Sequence, residues 1–148
     1  MTRETIKRDL IAKAARLLFC DEEEIETNVS LTDELGLDSI ELQDLSLAIS
    51  KKYDVDRNMF RIVNDAAVIL DRGAEEDSDK LITELENAAK ITLSSENREN
   101  FKKCFQKESR GRLLYIFQSY LTIDMIADSI IRELEIRKTS TGAPCAST

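Results

Sequence analysis

Turn-forming residues are scarce in this chain, and that scarcity limits what it can fold into. Gly36, Gly73, Gly111 and Gly142 are its only glycines, and Pro144 is its only proline. A many-stranded sheet needs tight turns, and tight turns draw on glycine, proline and asparagine at positions of special backbone geometry. Helices need much less punctuation, so the composition predicts an all-α fold. At 148 residues, with 42% apolar and 34% charged, the chain can bury one core without help from metal or disulfides.

The apolar spacing agrees. Ile6, Leu10, Ile11, Ala14, Leu17 and Leu18 recur at helical intervals, with Lys7, Arg8 and Lys13 off that stripe, predicting an amphipathic helix over 3–19. Residues 21–37 have no helical period, and Thr27, Asn28 and Ser30 are turn formers. A connection this long in a compact domain is functional or pinned by its own side chains, here Val29, Leu31, Leu35 and Leu37. A second helix is expected over 39–52, with Leu42, Leu45, Ile49 and Tyr53 facing inward.

Four further helices follow. Met59, Ile62, Val63, Ala66, Ala67, Ile69 and Leu70 mark one that stops near Gly73, and an acidic turn at Glu75, Glu76, Asp77 and Asp79 opens another, with Leu81, Ile82, Leu85 and Ala88. Ser95 begins a helix containing Phe101, Cys104 and Phe105, and Leu113, Leu114, Ile116 and Phe117 continue after Gly111. Thr122 caps the last helix, whose stripe is Ile123, Ile126, Ala127, Ile130, Ile131 and Leu134. Residues 138–148 are polar and contain Gly142 and Pro144, which predicts a disordered tail after a single domain over 1–137.

Several chemistries fall away on composition. There is no histidine, so His-based triads, metal sites and pH switches are excluded. Cys20, Cys104 and Cys145 are far apart, without zinc or redox spacing, and Cys20 and Cys104 lie among apolar residues as small buried hydrophobes. No dinucleotide, P-loop or EF-hand pattern occurs, and no nucleophile–base pair is visible, so neither an enzyme nor a metal site is expected. No apolar run is long enough to cross a membrane, and the charged N-terminus does not read as a signal peptide, which points to the cytoplasm.

The net charge of −8 disfavours nucleic acid and anionic membrane as partners. It is also concentrated. Between Arg16 and Lys51 there is no Lys or Arg, while Asp21, Glu22, Glu23, Glu24, Glu26, Asp33, Glu34, Asp38, Glu41 and Asp44 all fall in that window. Such a run is either a solvated face or a docking surface that steers basic partners.

Within the window stands Leu35-Gly36-Leu37-Asp38-Ser39-Ile40-Glu41-Leu42. Asp38 and Glu41 have the spacing of a capping box, which satisfies two backbone N–H groups of the first helical turn. Ser39 then sits in that turn with its hydroxyl outward, where free N–H groups and the helix dipole favour a phosphate. A plain helix cap has the same pattern. Ile40 and Leu47 flank the inward stripe and either line a shallow apolar slot beside Ser39 or pack ordinarily.

Taken together, the chain resembles the acyl carrier proteins. The resemblance is carried by Ser30-Leu31-Thr32-Asp33-Glu34-Leu35-Gly36-Leu37-Asp38-Ser39-Ile40, the amphipathic first helix, the long connection, the acidic second helix and a last helix opened at Leu121-Thr122-Ile123. It covers about 3–60 and 119–136, with an insertion of helices over about 61–118 before the last one. The resemblance implies an acyl-carrier-like helical bundle and a 4'-phosphopantetheine arm, taken from coenzyme A by a phosphopantetheinyl transferase and attached to Ser39, with Asp38 as the flanking motif residue. It implies a monomeric cytoplasmic carrier of acyl thioesters in fatty acid, polyketide or specialised lipid biosynthesis. Glu34, Glu41 and Asp44 would dock acyl-loading, condensing or transferring enzymes with basic patches, and Ile40 and Leu47 would line a cargo pocket. An aminoacyl or peptidyl carrier, or a non-carrier helical adaptor, are the alternative readings.

Two departures stand out. Gln43 lies where the family more often has an aliphatic residue. The insertion, locally basic through Arg98, Lys102, Lys103, Lys107, Arg110 and Arg112, replaces a short third-helix region. Either it sets partner or cargo choice, its basic face meeting a partner or folding back on the acidic helix, or it is extra core without selectivity.

Overall fold

The structure, a computed structural model, describes residues 2–72 and 77–147, with side chains as far as residue 139. The expected stop at Gly73 and the start of the acidic turn at Glu75 and Glu76 lie outside the described residues. Among those described there are seven α-helices and no strand: α1 (Arg3–Leu18), α2 (Ser39–Tyr53), α3 (Met59–Leu70), α4 (Ser78–Ala89), α5 (Ser95–Cys104), α6 (Arg110–Ser119) and α7 (Ile123–Ser147). The all-α reading and the order of helices agree with the sequence, and the apolar run after Gly111 forms a helix of its own, α6.

Each helix starts where a short polar side chain can take a free N–H. Thr2, Asp38, Asn58, Asp77, Ser94 and Ser109 cap α1 to α6 in this way, and the Thr122 hydroxyl accepts from Met125 N at 3.1 Å at the start of α7. Where composition predicts a tail from Lys138, α7 runs on to Ser147. Extending a helix that packing already holds requires no new nucleus.

Helix α1 packs on α7 and α2, α2 on α3, and α3 on both α4 and α6; α5 bridges α4 and α6. The inserted helices share one continuous core with the rest, in which Ile82, Leu85, Phe101, Leu113 and Phe117 join Ile6, Leu10, Leu45, Ile49, Ile62 and Ile130. Phe101 anchors α5, stacked on Phe117 at 5.8 Å and edge-on to Phe105 at 5.1 Å and Tyr120 at 5.8 Å.

Among the described residues one charged side chain is buried. Arg57, on the α2–α3 linker, is 1% exposed; its guanidinium donates to Ser129 Oγ on α7 at 2.9 Å and to the Ala89 carbonyl at the end of α4 at 3.0 Å. Burial pushes its pKa down to about 10, with Glu133 nearby working the other way. The residue therefore ties the linker, the insertion and the last helix at one point.

Three of the insertion's six basic residues are answered by its own acids. Arg98 pairs with Glu86 at 2.6 Å, Lys102 with Asp79 at 3.1 Å and Arg110 with Asp71 at the end of α3 at 3.0 Å. No described ion pair joins them to α2, so they do not fold back on it.

Candidate functional site

The long connection leading to Ser39 is anchored rather than loose. Leu31 and Leu37 are buried and Val29 and Leu35 half-buried, as expected, and Ile25 is a further buried pin that the sequence reading missed. Backbone bonds from Leu31 N to Leu121 O and from Asp124 N to Thr27 O, both 2.9 Å, fasten it to the α6–α7 corner. A short 3-10 turn forms at Glu22–Glu24.

The connection closes on itself through Leu37 N to Leu31 O, at 2.9 Å, with Gly36 at φ +80 between them. That backbone angle is one L side chains rarely adopt, and it aims the chain into α2. The capping box is complete: Glu41 N donates to Asp38 Oδ1 at 2.8 Å, and Asp38 N donates to Glu41 Oε1 at 3.0 Å. This leaves the N–H groups of Ser39 and Ile40 as free donors of the first turn. Ser39 is exposed, and its hydroxyl makes no hydrogen bond among the described residues.

The other residues marked in the sequence are placed as follows. Glu34 is exposed and accepts from Ser30 N at a long 3.4 Å. Asp44 is exposed and faces Lys13 of α1 at 3.6 Å, while one oxygen of Glu41 is held in the cap. Ile40 and Leu47 are 72% and 46% exposed, on the surface beside Ser39. A 410 Å³ cavity lies between α4 and α7, lined by Lys90, Ile91, Ser129, Arg132, Glu133 and Ile136 among others, and does not include them.

Two residues that the sequence reading assigned no role shape this region. Gln43 is buried at the α2–α3 contact. Its Oε1 accepts from Met59 N at 2.7 Å and Phe60 N at 3.3 Å, and its Nε2 donates to Asn58 Oδ1 at 3.1 Å. A polar residue stands here because it caps α3. Tyr115 of α6 donates to Asp33 Oδ1 at 2.7 Å, linking the insertion to the loop ahead of Ser39, and that carboxylate pushes the phenol's pKa up. No local pattern marks either contact, since both partners are distant in sequence.

Residues 8–59 match the family model described as the phosphopantetheine attachment site. Over this segment, about a third of its length, the chain is similar to the phosphopantetheine-bearing carrier domains of the acyl carrier proteins. The match takes in α1 from Arg8 onward, the connection and α2, and ends on the first residue of α3. Carrier domains of this family bear a covalently attached 4'-phosphopantetheine and are not themselves catalytic. An exposed hydroxyl on the first turn of α2, with two free N–H groups beside it, suits a serine-linked phosphodiester. No curated protein and no solved structure matches the chain. Among the described residues no cluster could hold a metal ion, and no helix is long and apolar enough to cross a membrane.

Proposed function

We propose that this carrier holds acyl intermediates as thioesters on a 4'-phosphopantetheine arm attached to Ser39, in fatty acid, polyketide or specialised lipid biosynthesis in the cytoplasm. The observation that carries the reading is the free, exposed Ser39 hydroxyl at the head of a completely capped helix. In attachment, Ser39 Oγ attacks the pantetheine-side phosphorus of coenzyme A. The new bond is a phosphodiester, adenosine 3',5'-bisphosphate leaves, and the hydroxyl proton passes to a base on the transferase. The arm's terminal thiol then carries the cargo.

The acids around the site supply the docking field. Asp38, Glu34, Glu41 and Asp44 keep carboxylate oxygens toward solvent, and a one-signed field speeds encounter with basic partners more than it tightens the complex. Ile40 and Leu47 offer an outside apolar surface to cargo or partner. The chain acts as a single monomeric domain over 1–137, with the inserted helices adding selectivity through surfaces that ordinary carriers lack.

Incubation with coenzyme A and a broad phosphopantetheinyl transferase, followed by intact mass, tests the reading. The wild-type chain is expected to gain one arm and Ser39→Ala none. A chain that gains nothing is a helical adaptor, and an arm on another residue moves the site.

A further inference from the structure

Phe19 is the most exposed large apolar residue described, at 96%, and it holds a left-handed backbone at φ 55, ψ 44 to end α1. A glycine suits that position better, because it has no Cβ to crowd the carbonyl. Asp54 and Lys90 adopt the same conformation at the ends of α2 and α4, but they are polar and engaged, in ion pairs with Arg137 and Glu133. Phe19 pays the same backbone penalty without burying its ring. Nothing in the fold uses it.

Its position is informative. Asp9 of α1 pairs with Lys52 near the end of α2 at 2.9 Å, while Lys13 pairs with Asp44 nearer the start at 3.6 Å. The two helices are therefore antiparallel. At 1.5 Å per residue, Phe19 lies about 9 Å beyond Lys13 and Ser39 about 7.5 Å beyond Asp44, both toward one end of the bundle. Phe19 opens directly onto Asp21, Glu22, Glu23 and Glu24, all exposed, and none of these acids is in an ion pair among the described residues.

We propose that Phe19 is the apolar anchor of a second docking wing, ringed by the acids of 21–24, for the phosphopantetheinyl transferase that acts on Ser39. The partner surface it fits is an apolar pocket with a basic rim, the pattern of a buried aromatic hot spot within a complementary charged margin. This rests on the reading of Ser39 as the attachment residue, and it extends the contact from α2 to the end of α1.

The test measures binding of the Ser39→Ala chain to a broad phosphopantetheinyl transferase by calorimetry, so that docking is read without transfer. In that background Phe19→Ala is expected to weaken binding at least ten-fold and Phe19→Trp to restore it, while Phe19→Gly melts no lower than the parent. Unchanged affinity in Phe19→Ala, no binding by the Ser39→Ala chain, or a marked loss of melting temperature in Phe19→Gly overturns the proposal. Failure of wild-type chain to gain an arm in the mass assay would instead refute the Ser39 reading, and the two failures are distinct.

Discussion

Replacing Gln43 by leucine, the aliphatic type more common at this position in the family, should destabilise this chain. The Gln43 side chain is buried, and its carbonyl is the acceptor for Met59 N at 2.7 Å and, more weakly, Phe60 N at 3.3 Å. Met59 is itself 3% exposed, so its N–H finds no water when the acceptor goes. Leaving such a donor unpaired costs about 1–3 kcal/mol, and leucine returns roughly 1 kcal/mol through added apolar burial. Asn58 Oδ1 keeps its bond from Arg61 N at 3.2 Å, so α3 loses one of its two caps and not both. The net loss is about 1 kcal/mol and at most about 2 kcal/mol, equivalent to a fall of roughly 2–4 °C per kcal/mol in melting temperature for a domain of this size. Urea unfolding followed by far-ultraviolet circular dichroism gives the stability, and amide exchange at Met59 and Phe60 gives the local effect. A Gln43→Leu chain as stable as wild type, with those amides still protected, would show that α3 does not depend on this cap.

Two other measurements address the interior. The Asp9 carboxylate is disfavoured by burial, but the hydrogen bonds from Tyr53 Oη and Lys52 outweigh this and hold its pKa below the ordinary 3.8. A lowered carboxylate pKa stabilises the fold above the unfolded value, and that contribution is lost as pH falls through the folded one; stability should therefore drop below about pH 3.8, and Asp9→Asn should flatten the drop in acid titrations. Arg57→Ala removes a fully buried side chain that bonds Ser129 and Ala89, and should cost about 3 kcal/mol through cavity and lost hydrogen bonds. Arg61→Ala, whose partners are the exposed Asp56 and the half-buried Asp65, should cost under about 1 kcal/mol in the same urea assay.

Helix positions were legible because their signals are local. Asp38 with Glu41, Thr122 before an apolar stripe, and Leu42, Leu45 and Ile49 at helical spacing all lie within one or two turns, and the structure forms each of them. The outward serine at the head of α2 was legible for the same reason. Gln43, Arg57 and Tyr115 were not. Each acts through a partner brought near only by the fold: Met59 across a helix contact, Ser129 on the last helix, Asp33 on a distant loop.

What the sequence determined by itself was the helical class, the helix starts and the capped turn that presents Ser39, since backbone caps and apolar periods are satisfied within a few residues. Only the tertiary structure decided that the inserted helices join the main core, that half of the named basic residues are answered by acids of the same insertion, and that α1 and α2 bring Phe19 and Ser39 to one end. Those outcomes depend on which apolar faces meet and which charges they carry together, and chain order alone leaves that choice open.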